Sequence, residues 1–259
     1  MAWRVIESAQ NPSFKLWDGL QDGRGIRKAG QFILAGRKTV PEALARWPGR
    51  FTALIAAEEG RAEGRAEGQA DGLALPPDLH RYRLPKPLFD RLDLSGTGFP
   101  LLVGTVPDMP AADLSAPPRG LELICALSDP NNLGALLRSA AAFGVSRVVL
   151  LEEAAHPFHP RCLRAASNAV FALDLAKGGG WDTLDAAAGP LLALDAGGED
   201  MAAFPWPRDL RLVLGEEGRG LPAGLAVRRL SVPTTGAVES LNATVAASVA
   251  LFSWFSATR

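Results

Sequence analysis

Histidine, cysteine and tyrosine are scarce in this chain of 259 residues, with three, two and one copies. Cys125 and Cys162 cannot build a disulfide framework, and three histidines do not complete a four-ligand zinc cluster with them. A reducing compartment is therefore the default setting, and the opening MAWRVIESAQ lacks the apolar core of a signal peptide. The common nucleotide fingerprints are missing as well. Gly215, Gly218 and Gly220 have the wrong spacing for GxGxxG, and GxxxxGK[ST] occurs nowhere, which removes the main support for NAD or ATP binding. Nor is there an excess of one charge: 27 basic and 28 acidic residues give −1, so no global balance announces a nucleic-acid partner. Only Ser240 to Thr258 is long and uncharged enough to suggest a membrane span. Seven of its nineteen residues are Ser, Thr or Asn, so a helix buried in a soluble domain is the better reading.

What the chain has is the composition of a globular protein: 47% hydrophobic residues, 27 Gly and 20 Pro, enough for two domains. Its charge is unevenly placed. Residues 1–50 carry nine Lys or Arg against four Asp or Glu, whereas residues 108–259 carry twelve against sixteen. Such asymmetry hints at nucleic-acid contact through the first part, although a solvated surface would look the same. Residues 60–72, GRAEGRAEGQADG, repeat Gly every four positions and offer nothing apolar to bury, so they read as a low-complexity loop within the first domain. The stretch 107–120, with four prolines and no period, reads as a linker. The expected division is thus a smaller α/β domain at 1–106, a linker at 107–120 and a second domain at 121–259.

In that second domain short apolar runs alternate with helical stretches. Strands are expected at 121–127, 147–151, 191–198, 211–214 and around 225–233, with helices at 133–143 and 240–255. Unbroken apolar strands separated by helices predict a parallel sheet covered on both faces. Ligands of such sheets sit beyond the carboxyl ends of the strands, where DPNN, DAGG, GEEGRG and PTTGAVESLN fall.

Three of these segments carry groups suited to chemistry, each with a plain structural alternative. Asn132 is placed to cap the helix starting at Leu133, and Arg138 stands in an otherwise apolar helix, so it must reach solvent, a carboxylate or a phosphate. Glu216 and Glu217, after a strand, suit metal coordination or hydrogen bonding, or form a solvated turn. Ser240 is a natural N-cap, while Asn242 in a first helical turn has less structural excuse. Polar groups at the mouth of an apolar helix beside a glycine loop fit a small-molecule pocket.

In this order and spacing, Asn132/Gly134/Arg138, Gly215/Glu217/Gly218/Gly220 and Pro233/Gly236/Ser240/Leu241/Asn242 closely resemble the SpoU (TrmH) family of knotted RNA 2′-O-ribose methyltransferases. That family carries N-x-G-x-x-x-R, G-x-E-G-x-G and P-x-x-G-x-x-x-S-L-N-V-S before a final helix, and the match covers roughly residues 121–257. Ser8, Asn11-Pro12, Lys15, Arg27, Gly30, Phe32 and Gly36 resemble the small α/β substrate-binding domain of one branch, which includes ribosomal RNA methyltransferases. Two positions depart from the pattern: Ala243-Thr244 replaces Val-Ser, and Asn168 stands where the family often has Gly. Asn tolerates a left-handed backbone, so the bend there should survive.

The resemblance implies an α/β protein whose parallel-sheet domain holds a deep trefoil knot, with S-adenosylmethionine as cofactor and a ribose 2′-hydroxyl as methyl acceptor. Gly215, Val232 and Leu241 match the cofactor contacts, acting through backbone groups, and the loop after Leu194 borders them. Arg138 matches the activator of the hydroxyl. A guanidinium with a pKa above about 12 is a poor base, so binding of the adjacent phosphate and stabilisation of alkoxide charge suit it better. Asn132, Glu217, Ser240 and Asn242 would shape the pocket and position the ribose, and no metal is required. The resemblance further implies a cytoplasmic homodimer formed through the catalytic domain, with His156, His159 and Arg161–Arg164 on an RNA-facing or partner surface. RNA, most simply ribosomal RNA, would meet the basic first domain at Lys15, Arg27, Lys28 and Arg37. Transfer RNA as substrate, or a non-catalytic role in RNA binding or ribosome assembly, are the alternatives.

Overall fold

The structure, a computed structural model, describes residues 2–58, 72–216 and 218–259. The low-complexity stretch, apart from its last residue, lies outside them. The chain divides into two units: residues 1–107 with 158–168, and residues 108–157 with 169–259.

The first unit contains β1 (Trp3–Val5), α1 (Pro12–Asp18), α2 (Gly23–Ala29), β2 (Gln31–Leu34), α3 (Thr39–Arg46), β3 (Phe51–Ala57), β4 (His80–Leu84), α4 (Lys86–Leu92) and β5 (Leu101–Thr105). Its sheet has the order β1-β4-β3-β5-β2. The first three of these strands run parallel, and β5 runs antiparallel to both its neighbours. Local signals fix the helices. The Asn11 side chain accepts from Ser13 N ahead of Pro12, Asp22 accepts from Arg24 N and Gly25 N, and Gly30 ends α2 at φ +62°. Phe14, Leu20, Ile26 and Phe32 are buried in the core.

This unit also takes in a piece of chain from the middle of the second half. Helix α6 (Pro160–Ala166) buries Cys162, Leu163 and Ala166. The Phe158 ring lies 4.9 Å from that of Phe32. The bend after α6 is left-handed, with φ +49° at Ser167 and +67° at Asn168. Asn168 thus holds the conformation that a glycine would take. Its buried amide also donates to Thr39 O (2.9 Å) and Glu42 Oε2 (3.2 Å), which glycine could not do.

The second unit is an all-parallel six-stranded sheet with α5 (Pro130–Ala142) and α7 (Ala243–Thr258) packed together. Its strands are β6 (Leu121–Cys125), β7 (Arg147–Leu150), β8 (Leu175–Lys177), β9 (Leu191–Asp200), β10 (Leu210–Leu214) and β11 (Arg228–Ser231), in the order β11-β9-β10-β6-β7-β8. Every residue of β6 and β10 is buried, as a strand covered on both faces requires. Five of the six strands fall within or close to the stretches predicted for them, whereas β8 lies where no strand was expected. Both long helices are displaced: α5 begins three residues before Leu133, and α7 begins three residues after Ser240.

The segment expected as a free linker is packed into this unit. Ala112 N donates to Lys177 O (2.8 Å), and Leu114 is buried. The guanidinium of Arg211, 1% exposed on β10, is the reason. It pairs with Glu122 Oε2 (2.8 Å) and donates to the carbonyls of Leu114 (3.0 Å), Ala116 (2.7 Å) and Ala188 (2.5 Å). A buried cation with its donors filled in this way fastens 114–116 and 188 to the sheet.

Two stability measurements follow. Arg211→Met leaves Glu122 buried and unpaired and should cost about 3–5 kcal/mol in denaturant unfolding, only part of it recovered in the Arg211→Met/Glu122→Leu double variant, where the three carbonyls still lack their donor. Phe158→Ala should cost about 3–5 kcal/mol. A loss below about 1 kcal/mol would contradict the packing of 158–168 in the first unit.

Candidate functional site

A parallel sheet brings the carboxyl ends of its strands to one edge. In the second unit β9, β10 and β11 stand side by side in the order β11-β9-β10, and three loops leave them there. The loops enclose a cavity of about 670 Å³ whose lining includes Leu194, Gly215, Val232, Ser240, Leu241 and Asn242. Six of the nine predicted catalytic and cofactor residues are thus brought together from four separate stretches of chain.

The glycine loop after β10 closes on itself through Glu216 N to Gly220 O (3.1 Å) and Gly220 N to Glu216 O (2.9 Å). Gly218 and Gly220 sit at φ +81° and +68°. A Cβ on Gly215 would come 2.5 Å from the Gly220 carbonyl carbon. These three glycines are therefore demanded by the turn, and their absence of side chains leaves backbone facing the cavity. Glu217 lies outside the described residues; its neighbour Glu216 lines the cavity.

The second wall is a bulge in β9. Arg229 of β11 pairs with Ala193, but the next residue, Leu230, pairs with Glu199, so residues 194–198 leave the ladder with β11, and 194–196 line the cavity. Asp195 Oδ1 accepts from Gly197 N (2.9 Å), and Oδ2 accepts from Arg229 Nη1 (2.8 Å). Beyond the bulge Arg228 makes two bonds to Glu199, of 2.7 and 3.0 Å. Those bonds hold the Glu199 carboxyl below its ordinary value and the Arg228 guanidinium above its own.

At the mouth of α7 the capping differs from expectation. Asn242, not Ser240, is the N-cap: its side chain accepts from Thr244 N (2.9 Å) and Val245 N (3.3 Å). Asn132 does not cap α5 either. Asp129 does so, accepting from Asn131 N (2.8 Å) and Asn132 N (3.0 Å), because Pro130 starts the helix earlier. Asn132 is instead joined to α7, with Thr244 Oγ1 donating to its carbonyl (3.1 Å) and Asn242 Nδ2 reaching its Oδ1 at 3.5 Å. Thr244, where the family has Ser, thereby keeps a hydroxyl in use. Its signal in the sequence was only that conservative change.

Arg138 is exposed on α5, six residues and about 9 Å of helix rise beyond Asn132. It does not line the cavity, and among the described residues it has no ion pair. Lys15, Arg27, Lys28 and Arg37 are exposed on the first unit, where Arg37 also donates to Thr97 O (2.7 Å). His156 is buried rather than at the surface expected for it, while His159 is half-buried and caps α6, its Nδ1 accepting from Arg161 N (3.2 Å). The Asp195–Arg229 pair escaped the sequence reading, because nothing local marks two charges 34 positions apart as partners. Among the described residues no group of three or more His, Cys, Asp or Glu is placed to hold a metal, and no helix is long and apolar enough to cross a membrane.

The sequence pattern of the SpoU rRNA Methylase family matches residues 123–252. Over 97% of the chain, it is 37% identical to a Syntrophobacter fumaroxidans protein named ribosomal RNA small subunit methyltransferase G 2, but it spans only 49% of that protein's length. It is 30% identical to the 23S rRNA (guanosine(2553)-2′-O)-methyltransferase RlmP of Bacillus subtilis (strain 168), over 96% of this chain and 98% of that one. Among solved structures, a TrmH-family RNA methyltransferase from Porphyromonas gingivalis superposes with a TM-score of 0.73 at 26% identity, covering 95% and 98% of the two chains. The SpoU methyltransferase AviRb of Streptomyces viridochromogenes, solved with AdoMet, shares the fold at a TM-score of 0.75 and 23% identity, covering 95% and 98%. The chain belongs to the SpoU rRNA methylase family.

The capping assignment is open to a stability test. Asn242→Ala should cost about 1 kcal/mol of unfolding free energy, whereas Asn242→Asp, which keeps the accepting oxygen, should stay within about 0.5 kcal/mol of the parent. Equal losses in both would place the stabilisation in the bond to Asn132 instead.

Proposed function

We propose that this chain transfers a methyl group from S-adenosylmethionine to a ribose 2′-hydroxyl of ribosomal RNA. The observation that carries this reading is the cavity, in which Leu194, Gly215, Val232 and Leu241 meet although they are spread over nearly fifty residues. Its volume lies within the range usual for small-ligand sites, about 300–1,000 Å³. The fit extends to charge: Asp195, Glu216 and Glu239 line the cavity as acceptors suited to a ligand bearing a sulfonium and an amine, and Arg219 among them suits that ligand's carboxylate. The ribosomal assignment is supported by the B. subtilis relative and by a 28% identical relative from Streptomyces viridochromogenes, named a 23S rRNA (uridine(2479)-2′-O)-methyltransferase.

The cofactor would supply an electrophilic methyl group on sulfur. The protein's own work is then alignment, which can account for much of the rate of a single displacement. Backbone groups of 194–196, of 215–216 and 218–220, and of 230–232 would hold the cofactor. Asn132, fixed against Asn242 and Thr244, would position the ribose with Ser240, a role the family resemblance also gives to Glu217. Arg138 would bind a phosphate beside the target nucleotide and stabilise negative charge on the 2′-oxygen as its proton passes to solvent, the O–CH3 bond forming as the S–CH3 bond breaks and the sulfur leaves as a neutral thioether. The family's knot belongs to the same reading, and a strand order with β9 between β10 and β11 is compatible with it.

A homodimer completes it. Val245 and Phe252, 50% and 55% exposed, form with Val249, Ala135 and Phe143 an apolar groove along α5 and α7. Exposed apolar groups gathered in this way mark a contact surface. A second copy seated there sets Arg138, between Ala135 and Ser139 of the same helix, at the rim of the interface. Lys15, Arg27, Lys28 and Arg37 would meet the phosphates of the RNA, making binding salt-sensitive.

The test is methyl transfer to ribosomal RNA by the purified protein, read as 2′-O-methylated nucleosides by mass spectrometry. Arg138→Ala should lower kcat by about 10²-fold or more while cofactor binding is retained. Transfer to a base instead of a ribose, or full activity in Arg138→Ala, would overturn the respective assignment.

A further inference from the structure

Arg229 does not line the cavity, yet three of the cavity's walls meet on its side chain. It stands on β11, whose next residues, Leu230, Ser231 and Val232, form one wall. Its Nη1 holds Asp195 Oδ2 at 2.8 Å, and Asp195 through its other oxygen holds Gly197 N, so the shape of the 194–198 bulge depends on this contact. Its Nη2 points to Pro222 O at 3.5 Å, at the foot of the glycine loop that forms the third wall. The far end of the bulge is fixed separately: Ser231 Oγ donates to Gly198 O at 3.0 Å, and a Cβ on Gly198 would fall 2.7 Å from the backbone of Arg229 and Leu230, which leaves the cavity-lining end to the Arg229–Asp195 contact.

We infer that Arg229 is a positioning residue for the cofactor, its guanidinium acting through Asp195 and Pro222 to hold the bulge and the glycine loop at the separation the ligand needs. The inference rests on the proposed binding of S-adenosylmethionine in this cavity. A planar fork can hold two acceptors in fixed directions, which an ammonium cannot. Both contacts are only partly exposed, with side chains 33% and 26% accessible for Arg229 and Asp195, so solvent replaces them poorly. Walls fixed before binding spare the ligand the cost of ordering them, and that saving appears as affinity. Arg228, next door, offers a control. It pairs with Glu199 on the far limb of the bulge, lies over the Phe204 ring at 4.7 Å and is 54% exposed, so it should contribute to local order but not to the cavity.

The experiment is calorimetric titration of the full chain with S-adenosylhomocysteine and S-adenosylmethionine, together with KM for the cofactor and kcat. Arg229→Met should raise both Kd values about tenfold or more, and KM in step, with a smaller change in kcat. Arg229→Lys should fall between it and the parent, and Arg228→Gln should bind within about twofold of the parent. Parent-like Kd values in Arg229→Met overturn the inference, as does an equal weakening in Arg228→Gln, which would mean general loosening. Should Arg229→Met fail to fold, Arg229→Lys decides, and a parent-like Kd in it overturns the two-walled role. A parent protein that binds neither ligand overturns the functional reading, and this one with it.

Discussion

The parallel pairing of β9, β10 and β11 is the constraint from which the rest follows. Parallel strands cannot be joined by tight turns, so the chain must leave each one at the same edge and travel before returning. Here that edge receives a bulge, a glycine loop and the approach to α7, all within reach of one small molecule. An antiparallel arrangement of the same strands would scatter these loops to opposite edges. The buried faces of β6 and β10 secure the pairing, and Arg211 fastens the surrounding chain to it.

Much of this edge was legible before any coordinates. Apolar runs of strand length marked the sheet, and the glycines of GEEGRG announced a turn that the observed left-handed φ values at Gly218 and Gly220 explain. Asn168 was legible too, because few other residues accept a left-handed bend. What was not legible depends on partners distant in sequence. Asp129, Asn132, Ser240 and Asn242 are all competent caps; Pro130 was the local signal that favours Asp129 over Asn132, whereas nothing local decides between Ser240 and Asn242. The bulge in β9 is a register relation with β11, invisible from either strand alone.

Charge shows the same division between local and long-range information. A net charge of −1 concealed a basic first segment, and counting by segment recovered it. The individual pairings that matter, Arg211 with Glu122 and Arg229 with Asp195, span 89 and 34 positions and leave no local trace. Residues 158–168 carry the lesson to whole elements. Their histidine and arginines suggested an RNA-facing or partner surface, and nothing local announced that Phe158, Cys162 and Leu163 would be buried in the first unit, beside Phe32. A boundary drawn at one point in the sequence therefore cuts through packed structure.

The most direct test of the central claim is a crystal structure with S-adenosylhomocysteine soaked or co-crystallised. The account predicts the ligand in the cavity beyond β9, β10 and β11, its polar atoms bonded to backbone groups of residues 194–196, 215–220 and 230–232. Ligand density elsewhere on the chain, with this cavity filled only by solvent, would contradict it.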